Sequence, residues 1–102
     1  MRDLRILPAV LEDIAEAAAW YDDDGYHGLG DRFIATFYSY LHSIRQNGHI
    51  YRASYREFRK ILMKPFPYAV FFRLHEEVWI VSLVIHAARR PSRVRRQLQK
   101  RK

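Results

Sequence analysis

The residues best suited to chemistry close the stretch "WIVSLVIHAARRP", Trp79 to Pro91, where an apolar run gives way to His86, Arg89 and Arg90. Imidazole transfers protons near neutral pH, and a guanidinium fork grips phosphate or carboxylate through paired hydrogen bonds. Gathered at one strand end, these groups could bind an anion. With a suitable acid and base they could also cleave RNA by setting the 2′-hydroxyl on its neighbouring phosphate. A purely structural role for His86, as a hydrogen-bonding group at a strand end, fits the composition equally well.

Other chemistries find less in the chain. His27, His42, His49, His75 and His86 show no i, i+4 pairing and no HExxH pattern, so no metal site is expected. The absence of cysteine excludes disulfides and thiolate ligands and suits a reducing compartment such as the cytoplasm. No serine sits in a nucleophile elbow, and no glycine pattern fits a phosphate or dinucleotide loop, so no cofactor is expected. Asp22-Asp23-Asp24 falls short of an EF-hand register and reads as a solvated helix end.

Positioning the cluster requires a strand, and the second half of the chain supplies strand-like runs. From about Tyr55 the apolar period falls to two. Phe58 to Lys64 alternates loosely, Tyr68 to Leu74 is β-branched and aromatic, and Val78 to Ile85 is apolar almost throughout. An apolar run without alternation predicts a central strand covered on both faces. His75-Glu76-Glu77 fits a hairpin loop, and Pro65 and Pro67, which cannot donate ladder hydrogen bonds, mark the entry to the penultimate strand.

The first half reads as a short strand, Arg2 to Leu7, and a helical hairpin. Pro8 suits a first helical turn, and Val10, Ile14, Ala17 and Tyr21 recur at helical spacing. Gly25, Gly28 and Gly30 break the pattern, and Asp31 suits the cap or first turn of a second helix. That helix carries Phe33, Phe37, Tyr40, Leu41 and Ile44 and ends by a left-handed stop near Asn47-Gly48. After Pro91, "SRVRRQLQKRK" could form a short basic helix capped by Ser92, with Val94 and Leu98 as its apolar seam, or could fray. The expectation is an α+β domain, β-αα-βββ with a possible last helix, its hairpin packed on a small twisted, mostly antiparallel sheet. Trp20, Phe33, Phe37, Phe66, Tyr68, Phe72, Trp79, Val81 and Leu83 are the expected core.

Size and charge frame this arrangement. With 102 residues, 49% of them apolar, the chain can build one core but not two, so a single domain spans 1–102 with a basic tail over 88–102. No apolar run reaches the roughly 18 residues of a membrane span, and charges interrupt the N-terminal stretch where a signal peptide would be apolar. The formal charge of +7 is uneven: eight of the eleven acids lie in residues 1–31, and residues 86–102 hold eight basic residues and no acid. Such a field draws anionic partners, nucleic acid or an acidic protein segment.

Three segments, "DIAEAAAWYDDDGYHGLGDRF", "FRKILMKPFPYAVFFRL" and "WIVSLVIHAARRP", resemble in order and spacing the signature segments of the RelE/ParE superfamily. These are the growth-inhibiting toxins of bacterial type II toxin–antitoxin systems, and the resemblance covers roughly residues 4–93. Trp20-Tyr21, Gly28-Leu29-Gly30, Phe66-Pro67-Tyr68 and the His86, Arg89, Pro91 ending look most like the ParE-type branch. That branch implies a poison of DNA gyrase that acts by binding, without chemistry of its own. The RelE-type branch implies a ribosome-dependent endoribonuclease cutting messenger RNA, and an inactive basic binding module of the same fold is the remaining alternative. Ala69 stands where that branch has a strand arginine and Arg95 near its C-terminal tyrosine, which leaves Arg89, His86, Lys60 and Lys64 as candidate catalytic groups. Either branch implies a cognate antitoxin that wraps an acidic, amphipathic segment around the toxin. Arg59, Lys60, Lys64, Arg73, His86, Arg89 and Arg90 are the expected contact surface for target and antitoxin.

Overall fold

A computed structural model describes residues 2–102. Among them are three helices and five strands: β1 (Asp3–Ile6), α1 (Pro8–Asp24), α2 (Leu29–Asn47), a 3-10 turn (Gly48–Ile50), β2 (Ala53–Tyr55), β3 (Phe58–Leu62), β4 (Tyr68–His75), β5 (Val78–His86) and α3 (Pro91–Lys100). The strands form one mixed sheet in the order β1-β5-β4-β3-β2. Strand β1 runs parallel to β5, and every other pairing is antiparallel. The architecture is α+β.

The α1–α2 hairpin covers one face of the sheet. Val10, Ile14, Ala17 and Ala18 of α1 and Phe33, Phe37 and Ile44 of α2 meet Val70, Phe72, Trp79, Val81 and Val84 in the larger core. The helices approach closely at Gly30, where a Cβ would lie 2.5 Å from the Ala18 carbonyl oxygen, and the Gly30 N–H donates to Asp22 Oδ1 at 2.8 Å. On the opposite face, Leu98 of α3 is fully buried against Phe58, Ala69, Phe71 and Leu83, with Val94 beside it. Strand β5 is therefore covered on both sides, as its unbroken apolar run requires.

Five features depart from the sequence expectation. The expected Asn47-Gly48 stop is not left-handed: Gly48 has φ −54° and continues into the 3-10 turn. Glycine is needed there for space, since a Cβ would sit 2.5 Å from the Trp79 ring. The β4–β5 loop shortens to Glu76-Glu77, both at positive φ, and His75 joins the ladder opposite Val78. Strand β2, too short to leave a periodic signal, adds a fifth strand. The basic segment is an ordered helix, with Arg90 at its N-cap and Pro91 in its first turn; Ser92 makes no cap. Trp20, expected in the core, is 55% exposed. The core stripe of α1 runs through Ala17 and Tyr21, which leaves Trp20 on the flank with its ring edge-on to Tyr21.

Candidate functional site

The chain leaves β5 through a tight turn that sets the site. His86 accepts from the Arg89 N–H through its carbonyl at 3.1 Å, and its Nδ1 accepts from the Ala88 N–H at 3.0 Å. The second bond leaves the ring proton of neutral imidazole on Nε2, which faces away from the turn and is free to donate. Two residues later Pro91, with φ fixed by its ring, starts α3. The turn thus holds His86 and Arg89 at the junction of β5 and α3, where both line two neighbouring clefts.

The larger cleft, about 820 Å³, runs along the β5 edge between α1 and α3. Asp13, Glu16, Ala17 and Trp20 form one wall, at successive spacings of three, one and three residues on α1. Arg89, Arg93, Gln97 and Arg101 form the other, and Leu83 to His86 the floor. One end is closed by a bidentate ion pair: Arg101 Nη1 and Nη2 donate to Asp13 Oδ2 at 2.5 Å and Oδ1 at 3.0 Å. The same carboxylate accepts from the Val84 N–H at 3.1 Å, and Arg101 also donates to the Ser82 carbonyl at 3.2 Å.

At the other end Tyr68 faces His86 across the β4–β5 ladder, ring centroids 5.2 Å apart. Burial pushes its hydroxyl above the ordinary tyrosine range; nearby Arg89 pulls the other way, and Glu16 adds to the rise. At neutral pH Tyr68 is therefore a hydrogen-bonding phenol and not a base.

The smaller cleft, about 260 Å³, opens on the α3 face of the sheet. Lys60, Arg89 and Arg95 line it together with Tyr55 and His86. The Arg95 guanidinium lies over the Tyr55 ring at 5.6 Å, and Gln99 donates to the Tyr55 hydroxyl at 2.9 Å. Cations beside an aromatic and an apolar strand surface can hold a phosphate or carboxylate carried on an organic skeleton.

Of the residues singled out in the sequence, His86 and Arg89 share both clefts, and Lys60 joins them in the smaller one. The other four lie elsewhere. Arg59 points to the hairpin face, donating to the carbonyls of His49 at 3.1 Å and Tyr51 at 2.6 Å. Arg73 sits five residues along β4 from Tyr68, about 17 Å away at strand rise. Its Nε is buried without a hydrogen-bond partner, and its charge helps hold Glu57 below the ordinary carboxylate range, an effect led by a backbone hydrogen bond. Lys64 lies in the β3–β4 connection, where its carbonyl accepts from the Tyr40 hydroxyl at 3.3 Å. Arg90 is exposed at the α3 N-cap. Asp13, Arg93 and Arg101 were missed in the sequence because their meeting depends on α3 folding back over β5. The helical spacing of Arg93, Gln97 and Arg101 was the one available signal.

No protein-family model matches this chain, and no curated protein is similar to it.

Proposed function

We propose that the chain is a RelE/ParE-like toxin domain of the ParE type, which inhibits DNA gyrase by binding and is neutralised by a cognate antitoxin. The observation that carries this reading is the cation-rich junction of β5 and α3, where His86 and Arg89 stand at the rim of two clefts with Arg93 and Arg95 beside them. Cations beside the half-exposed Trp20 and the partly exposed Ile85 suit an acidic, amphipathic protein segment, which takes charge from one side and apolar contact from the other. The Tyr68 hydroxyl beside His86, raised above its ordinary range chiefly by burial, stays protonated at physiological pH and offers a partner a hydrogen-bond donor.

The smaller cleft supports a second reading. Lys60, Arg89, Arg95 and His86 around Tyr55 form a set that could seat an RNA phosphate and its base, as a ribosome-dependent endoribonuclease requires. Purified protein tested in parallel for gyrase supercoiling and for messenger RNA cleavage during translation separates the two. Gyrase inhibition without cleavage, reduced about tenfold or more in Arg89→Ala with unchanged circular dichroism, is the expected result. Cleavage products from translating ribosomes, with gyrase unaffected, would overturn the gyrase reading.

A further inference from the structure

We propose that the larger cleft receives an extended, acidic peptide segment that pairs with the β5 edge at Val84–His86 as an added strand. This deepens the protein-binding reading above and rests on it for the partner's class.

The open edge follows from the register. Strand β1 pairs with β5 only from Val78 to Val81 and ends at Ile6, after which Leu7 donates to the Val81 carbonyl and Pro8 starts α1. No strand continues the line of β1 alongside Leu83 to His86 among the described residues. Backbone groups of a strand point alternately to its two neighbours. Ala87 N–H donates across to Pro67 on the β4 side, while Val84 N–H points away to Asp13. The carbonyl of Val84 and the N–H of His86 therefore face the cleft.

The Asp13–Arg101 pair stands in for the missing strand over the first part of this edge. Its carboxylate accepts from Val84, and its guanidinium donates to Ser82. This blunts the edge against indiscriminate pairing and fixes where a guest strand must stop. About three guest residues can pair beyond it, at a little over 3 Å each.

Side chains of the guest alternate between the two walls. Those turned to α3 meet Arg93 and Arg89, beside a helix that itself holds no acid. Those turned to α1 meet Ala17, the half-exposed Trp20 and the Glu16 carboxylate, a wall that accepts an apolar side chain and repels an acidic one. The occupant is thus an extended segment with acidic residues at every second position and apolar residues between, supplied by a partner protein.

Trp20 reports occupancy directly, since the only other tryptophan, Trp79, is buried in the core. The probe is a synthetic hexapeptide alternating glutamate and valine, compared with a copy N-methylated at its central residues and with a helix-forming peptide of equal charge. The alternating peptide should shift Trp20 emission. N-methylation should weaken it by about tenfold, the effect of losing one or two backbone hydrogen bonds. Exposed Arg93→Glu should weaken it at least as much without altering the fold. Equal binding of the N-methylated copy, preference for the helical peptide, or indifference to Arg93→Glu would each overturn strand addition. The first two of these results would leave the acidic-partner reading standing. Binding of none of the three would overturn strand addition too, and the gyrase assay judges the broader reading separately.

Discussion

Asp13 and Arg101 meet across 88 residues of sequence, and each carries a second hydrogen bond to a β5 backbone group. Replacing Asp13 by alanine strands a largely buried guanidinium and the Val84 N–H together. A loss of about 3 kcal/mol in urea unfolding is expected, toward the low end for a broken buried pair because some water reaches both side chains. Asp13→Asn, which keeps an acceptor for Val84, should lose less. Tyr21 and Tyr68 give a pH signature. Both hydroxyls are held above their ordinary value of 10.0, chiefly by burial. Between that value and their raised ones the native chain keeps protons that the unfolded chain has released, so stability is fully present below it and falls as pH rises through the window. Ultraviolet titration should show part of the tyrosine absorbance change delayed above pH 10.0, and less of it in Tyr68→Phe. Gly48→Ala forces a methyl into the Trp79 ring and should cost about 1–3 kcal/mol by thermal unfolding. At this scale His86 and Arg89 were legible, because the strand run and Pro91 bracket them in sequence. Asp13 was not, since nothing local marks a carboxylate that serves a strand edge far along the chain.

The helices and the three long strands were legible because each buries a face whose apolar spacing matches its own period. Strand β2 was not, since three residues cannot display a period. The state of the last helix turned on Leu98, whose burial against Phe58, Phe71 and Leu83 distinguishes a docked element from a solvated tail. Leu98→Ala should lower stability by about 2–5 kcal/mol and raise hydrogen exchange across Pro91–Lys100 before the hairpin responds. Glu57 reinforces that docking through its ion pair with Lys102 at 3.4 Å. Its carboxyl is held below the ordinary range, first by a backbone hydrogen bond and then by Lys102, so the stabilisation from its ionised form is present above pH 4.5 and fades as the solution is acidified. Trp20 shows the opposite limit of sequence reading. A large aromatic on an amphipathic helix suggested core, yet its place on the flank makes it part of the cleft wall.

Across the whole molecule the charge asymmetry becomes spatial: the acidic α1 and the basic α3 lie on opposite faces of the sheet and meet at the β5 edge, with Arg93 turned to one cleft and Arg95 to the other. Association with an acidic partner should therefore slow by about tenfold or more between low and high salt, measured by stopped-flow on the Trp20 signal. Dissociation should change less. The order of the sheet has its own consequence. Strand β5 lies between β1 and β4, so the earliest strand made has no neighbour until one of the last emerges during synthesis. A nascent chain halted before Val78 would leave the hairpin's apolar stripe without Trp79, Val81 and Val84 to rest on. Such fragments should be swiftly degraded, and because the proposed docking edge belongs to the same late strand, a truncated product would be inert rather than half-potent.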